Sequence, residues 1–204
     1  MHIEVFADIW CPFTHVGLRA IDEARRVAGR SDIGIIVRSW PLELVNDAPM
    51  DPAKAHHHAD DLRTQVSPDL FTHIADPFPA STLDALALVV RAYAVDVATG
   101  ERASFAVRDA LFERGLDISN ADVLAQLAIE IGSDLPTDSD REAVRLDWEE
   151  GKSRGVLGSP HFFCGDHDVF CPTLEITRDP ETGLTIRRDT ERLMSFVRDC
   201  LATT

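Results

Sequence analysis

The chain has 204 residues, 45% hydrophobic and 27% charged, an ordinary balance for a globular protein able to bury a core. Its formal net charge of −15 excludes nucleic acid as an expected partner, because polyanion binding rests on clustered Lys and Arg. It carries neither a basic amphipathic stretch nor an apolar run near the ~20 residues of a membrane span, so no membrane partner is expected.

The chain begins Met1-His2-Ile3-Glu4 with no charged segment leading into an apolar one, so no secretory signal is read and the cytoplasm is the expected compartment. There the four cysteines, Cys11, Cys164, Cys171 and Cys200, read first as reactive or buried thiols and not as a disulfide framework. Ile3 to Phe6 suit a buried strand that delivers Cys11 onto the first turn of a helix. Pro12 fits that turn, where an N–H has no partner, and Val16, Leu18, Ile21 and Ala24 supply the apolar face before Gly29 ends the helix. A cysteine so placed meets unpaired N–H groups and the positive end of the helix dipole, which predicts a lowered pKa and a nucleophilic thiolate. The alternative is a small buried hydrophobe. Asp8 reads either as a buried acid assisting proton transfer or as a surface residue. Trp10 and His15 adjoin the motif with no derivable role.

Ile33 to Trp40 is a β-branched run, a second strand parallel to the first, after which Pro41-Leu42-Glu43-Leu44 leaves the sheet. Asp51-Pro52 opens a helix carrying His56, His57 and His58. Neighbours on a helix point about 100° apart and cannot all meet one ion, so a solvated face is expected there and no metal. Residues 68–79 read as loop or broken helix. Ser81-Thr82 opens a helix with Leu83, Leu86, Ala87, Val90, Tyr93 and Ala94 inward, and Arg102 to Glu113 forms another. Asn120 caps Ala121 to Ile131, and Asp138-Ser139-Asp140 precedes a helix through Glu150. Trp148 is an ordinary residue of that helix end or a groove wall. Residues 50–150 thus read as one helical insertion.

After Pro160 the period falls to two, with His161 and Phe163 on one face and Phe162 and Cys164 on the other. Gly165 to Asp168 is the expected turn and Val169-Phe170-Cys171 the return strand. Leu174 to Thr177 and Leu184 to Ile186 form a second hairpin across a turn at 179–183. Asp189-Thr190 begins a final helix with Leu193, Phe196, Val197 and Leu201 inward and Cys200 in the core. His161, Cys164, His167 and Cys171 are zinc-ligand types, yet alternation sends His161 and Cys164 to opposite faces. Cys164 and Cys171 read as unlinked thiols; a disulfide between them, or resolution of a Cys11 mixed disulfide by one of them, stays open.

Two motifs carry a resemblance: Cys11-Pro12-Phe13-Thr14 after the first strand, and Gly155-Val156-Leu157-Gly158-Ser159-Pro160 leading into a late one. With its helical middle, nearly the whole chain resembles the DsbA-like branch of the thioredoxin superfamily. It looks closest to cytoplasmic members related to FrnE-type oxidoreductases and 2-hydroxychromene-2-carboxylate isomerases. The resemblance implies an α/β, thioredoxin-like fold made of residues 1–49 and 151–204 around a helical insertion of residues 50–150. It also implies a cis Pro160 lying against Cys11. Contacts to substrate or thiol are implied for Pro12, Phe13, Ser159 and Pro160, and for Leu42, Glu43 and Leu44 just after the second strand.

One departure matters. Dithiol members carry a second cysteine where this chain has Thr14. A hydroxyl cannot resolve a mixed disulfide, but it can donate a hydrogen bond to the Cys11 thiolate. The catalytic pair expected is therefore Cys11 as nucleophile and Thr14 as its stabiliser, in monothiol disulfide exchange. No tightly bound cofactor is expected; a low-molecular-weight thiol such as glutathione or mycothiol would serve as co-substrate. A small thiol or a disulfide-containing substrate is the expected partner, and a homodimer is compatible. The first alternative is a thiol-cofactor-dependent transferase or isomerase of the 2-hydroxychromene-2-carboxylate isomerase or kappa glutathione transferase type. Those relatives carry serine at the Cys11 position, so a cysteine leans toward redox chemistry. The second alternative is a non-catalytic binding protein.

Overall fold

Alternation along β1 (His2–Ala7) turns Ile3, Val5 and Ala7 to one side of a sheet and Phe6 to the other. The structure, a computed structural model, describes residues 2–179 and 183–202. α1 (Pro12–Val27) carries the chain from β1 to the parallel β2 (Gly34–Ser39), which sets Val5 opposite Val37. β3 (His161–Cys164) pairs antiparallel with β1 on its other edge, and β4 (His167–Phe170) follows, giving the order β2-β1-β3-β4. Six helices intervene between β2 and β3 among the described residues: α2 (Leu42–Val45), α3 (Pro52–Gln65), α4 (Leu83–Tyr93), α5 (Val97–Phe112), α6 (Ala121–Ile131) and α7 (Asp138–Ser153). β5 (Leu174–Asp179) and β6 (Gly183–Arg188) form a separate ladder against α3, and α8 (Thr190–Ala202) ends the fold. The turn read at 180–182 and the side chain of Leu201 lie outside the described residues.

Three apolar clusters hold these layers. Ile3, Val5 and Ala7 join Leu18 and Ile21 of α1 and Phe196, Val197 and Cys200 of α8. On the opposite face Phe6 meets Trp40 and Phe163 edge-on, at centroid distances of 6.4 and 5.6 Å, with Trp148 of α7 packed beside them. The largest cluster is helical and includes Leu86, Leu88, Val107, Leu111 and Leu127. Each such side chain contributes about 1.5–3 kcal/mol relative to leaving it in water. No helix among the described residues is long and apolar enough to cross a membrane.

Some boundaries and faces differ from the sequence reading. α4 buries Leu86 and Ala87 of the expected stripe and also Ala85, Leu88, Val89 and Ala92, because α5, α6 and α7 surround it, while Leu83, Val90 and Tyr93 are half-buried and Ala94 is exposed. α7 begins at Asp138 itself, since the Asp140 carboxylate accepts the N–H and hydroxyl of Thr137 at 2.7 and 2.6 Å in a capping box. β4 starts at His167, so the turn shrinks to Gly165-Asp166 and Cys171 falls past the strand. Cys164 pairs with His167 at the turn end of this ladder, Cys171 lies beyond its other end, and all four cysteines are free.

α5 starts five residues earlier than expected, at Val97, where Asp96 caps it by accepting the Thr99 N–H at 2.6 Å. Gly100 lies inside this helix with the Tyr93 ring against it, and a Cβ there would fall 2.1 Å from that ring. The Tyr93 hydroxyl accepts the Val37 N–H at 2.9 Å and donates to the Ile35 carbonyl at 2.8 Å, fixing the end of α4 to β2. Gly100→Ala is therefore expected to destabilise by about 1–3 kcal/mol through overpacking, read as a lower urea midpoint. An unchanged midpoint would show that Tyr93 is not fixed.

Candidate active site

β1 ends at Ala7, and the buried run Asp8-Ile9-Trp10 delivers Cys11 as the N-cap of α1, at φ −77° and ψ 109°. The Cys11 carbonyl accepts the N–H groups of Thr14 and His15, at 3.1 and 3.3 Å, which starts the helix. Its thiol donates to the Ser159 carbonyl at 3.0 Å. The Ser159 hydroxyl oxygen accepts the Asp8 N–H at 2.9 Å and lies 2.8 Å from the Thr14 hydroxyl. The Ser159–Pro160 peptide is cis, and the Pro160 ring packs beside Gly17 of α1. Four of the residues singled out by sequence, Cys11, Thr14, Ser159 and Pro160, thus meet in one place.

Burial pushes the Cys11 thiol up, with only 5% of the residue exposed. Hydrogen bonds from the Thr14 side chain, the Thr14 N–H and the Ser159 side chain pull it down, while the Asp8 charge adds to the rise. The net direction is upward, opposite to the lowered pKa expected from the helix N-terminus. The helix N-terminus is where the sequence placed it, but loss of solvent around the sulfur outweighs it.

Beneath the thiol lies a buried polar layer. Asp8 is fully buried; its carboxylate accepts the Trp10 N–H at 3.2 Å and the Leu42 N–H, and burial raises its pKa against those bonds. Arg108, equally buried, donates to the Ser104 carbonyl and hydroxyl at 2.8 and 2.7 Å and to the Asp8 carbonyl at 3.2 Å. Burial lowers the Arg108 pKa to about 10 despite the Asp8 and Cys11 charges nearby. The sequence reading left Asp8 undecided and missed Arg108. An arginine on the same helical face as Ala103, Val107 and Leu111 was the available signal.

His15 is also buried. Its Nδ1 accepts from Arg19 at 3.0 Å, so its Nε2–H donates to Glu113, at 2.7 Å. Against the push of burial, His15 and the N–H groups of Phe71 and Thr72 hold the Glu113 carboxyl down at about 2. A depressed folded-state value stabilises the protein above the ordinary 4.5, and this is lost as pH falls toward about 2. Glu113→Gln is expected to cost about 1–3 kcal/mol at neutral pH, and the difference from wild type should close across that acid window. A gap independent of pH would remove the charge from the explanation.

The other candidates are placed as follows. Phe13 is half-buried, with His58 of α3 at 5.3 Å between ring centroids, so the triple-histidine helix touches the motif and is not wholly solvated. Pro12 is buried in the first turn of α1. Leu42 is half-buried between two apolar clusters, and Leu44 is half-buried. Glu43 is half-buried, its carboxylate accepting the Ser81 hydroxyl and Thr82 N–H, both at 2.8 Å, which anchors the start of α4. Trp148 is covered by the Lys152 ammonium, 3.8 Å from its ring centroid. His161 bonds Asp168 at 2.9 Å, His167 is exposed, and no group of three ligand-type residues among the described ones could hold a metal ion. A cleft of about 780 Å³ is lined by Arg25, Glu101, Phe105 and Glu130 and excludes Cys11. Side-chain chemistry, not cavity size, marks the site.

A family model for the DSBA-like thioredoxin domain matches residues 2–175. No curated protein matches the sequence. Among solved structures, a candidate protein disulfide isomerase from Nitrosomonas europaea superposes with a TM-score of 0.71 at 19% identity, covering 99% of this chain and 98% of its own. The cytosolic disulfide reductase DsbM from Pseudomonas aeruginosa, solved with GSH, gives 0.63 at 14% identity over 99% and 100% of the two chains. A 2-hydroxychromene-2-carboxylate isomerase gives 0.61 at 18% identity over 83% and 88%. At these identities the likeness is one of fold.

Proposed function

Because this chain belongs to the DSBA-like thioredoxin domain family, we propose that it is a thiol–disulfide oxidoreductase whose attacking nucleophile is Cys11. The observation that carries this reading is the contact of the Cys11 thiol with the Ser159 carbonyl, with Thr14 in place of a second cysteine. A disulfide docking against Ser159 displaces that contact and frees the sulfur. The Thr14 hydroxyl and N–H and the Ser159 hydroxyl then stabilise the thiolate, which attacks one sulfur of the substrate. A mixed disulfide forms on Cys11, the substrate S–S bond breaks, and the leaving thiolate takes the proton. Thr14 cannot resolve that intermediate, so a second thiol must. A small thiol such as glutathione or mycothiol would attack the mixed disulfide at the Cys11 sulfur and release the substrate as a thiol. A second would release Cys11, so that two small thiols leave as one disulfide while the substrate disulfide becomes two thiols. A cytoplasmic setting, where such thiols stay reduced, belongs to this reading.

One observation favours a second reading. A Cys11 held neutral by burial could orient a bound thiol cofactor for transfer or isomerisation instead of attacking. Incubation with oxidised glutathione followed by acid quench and peptide mapping separates the two. A glutathione adduct or internal disulfide involving Cys11, with glutathione-dependent turnover of a small disulfide, supports exchange. An unmodified Cys11 and equal turnover by Cys11→Ser would sink it.

A further inference from the structure

We propose that Cys171 is the resolving thiol of this site, attacking the Cys11 mixed disulfide to leave a Cys11–Cys171 disulfide. The inference rests on Cys11 being the nucleophile and names the thiol that Thr14 cannot supply.

The backbone brings the two cysteines to one loop. The β3–β4 ladder pairs His161 with Phe170, and one step further the Cys171 N–H donates to the Pro160 carbonyl at 3.0 Å. The Cys11 thiol donates to the carbonyl of the preceding residue, Ser159, also at 3.0 Å. The Cys11 thiol and the Cys171 backbone thus bond consecutive carbonyls of the same segment. Cys11 and Cys171 each retain 5% exposure, whereas Cys164 and Cys200 retain 1% and 0% and pack with α8. Cys171 also takes a φ of +47°, a left-handed conformation uncommon for a side-chain-bearing residue, and turns the chain just past β4.

Electrostatics gives the order of events. Burial pushes the Cys171 thiol up to about 12, and the Cys11 charge adds to the rise, so the two lie within electrostatic reach. In the resting enzyme Cys171 therefore stays protonated and does not compete for substrate. Once Cys11 is bonded to substrate, its sulfur becomes the electrophile within reach of Cys171. Cys171 sulfur then bonds to Cys11 sulfur, the bond from Cys11 to the substrate sulfur breaks, and the departing thiolate takes the Cys171 proton. The substrate disulfide ends as two thiols and the two protein thiols as one disulfide. Two equivalents of small thiol reset it.

The test uses one equivalent of oxidised glutathione on the full-length protein, acid quench and intact-mass and peptide mapping. Wild type is expected to finish two hydrogens lighter with a Cys11–Cys171 linkage, while Cys171→Ser stops at a glutathione adduct on Cys11. Turnover of Cys171→Ser at low glutathione should fall on the order of tenfold, since an intramolecular attack is replaced by a bimolecular one. Cys171→Gly, which suits the positive φ, repeats the measurement should serine disturb the loop. A persistent Cys11 adduct in wild type, matched by the variants, overturns the role of Cys171 and leaves Cys11 as nucleophile. Absence of any Cys11 adduct or linkage in all proteins overturns both.

Discussion

Cys11→Ser is expected to lower disulfide-reductase turnover to the uncatalysed background, a loss of ~10³-fold or more, while the folding midpoint stays near wild type. In the proposed exchange reaction the Cys11 sulfur, whose thiol contacts the Ser159 carbonyl, is the attacking nucleophile, and a serine hydroxyl cannot enter a disulfide. The pH profile of the wild type carries the sharper test. Burial raises the Cys11 pKa, so the thiolate fraction grows with pH through and beyond the ~8.5 of an ordinary thiol. The rate with excess small disulfide should climb about tenfold per pH unit across neutrality without levelling. A plateau at or below pH 7 would show a lowered pKa and would falsify the electrostatics derived for this site.

Arg108→Met should produce the largest loss of stability. The guanidinium is fully buried, satisfies the Ser104 carbonyl and hydroxyl and the Asp8 carbonyl, and places a positive charge near the equally buried Asp8. Methionine fills the volume but leaves the acid without its cation, for which a cost of about 3–5 kcal/mol is expected in urea unfolding. The sign with pH follows from Asp8. Its folded pKa is raised by burial, and removing Arg108 raises it further, so the added penalty applies where Asp8 is charged and eases as pH falls. Asp8→Asn in the same background should recover part of the loss. A cost under ~1 kcal/mol, or one that grows in acid, would show that the buried layer does not act as a charge pair.

What the sequence made legible depends on how local the chemistry is. α6 begins after Asn120, whose side chain accepts the Asp122 N–H at 2.8 Å, and ends at Gly132 with a φ of +78°. Both signals lie within a few residues of the boundary they set. The start of α5 is less legible, because Gly100 is a poor helix former in isolation and its fit against the Tyr93 ring is a packing contact. The same limit applies at the site. The meeting of Cys11 with Ser159 followed from two recognisable motifs. The rise in the Cys11 pKa did not, because desolvation comes from packing that no spacing encodes. The bonds of Glu43 to Ser81 and Thr82 were equally hidden, because those partners lie 38 and 39 residues away.

The contact between Cys11 and the Ser159 carbonyl spans 148 positions of the chain. During synthesis Cys11 leaves the ribosome long before its acceptor is made. At ~5–20 residues per second the gap lasts roughly 7–30 s. Throughout that interval the sulfur has neither Ser159 nor the Pro160 loop over it and behaves as an unshielded thiol in whatever redox medium surrounds the nascent chain. The reactivity that the finished fold restrains is thus greatest before the fold exists, and protection of Cys11 is among the last things translation completes.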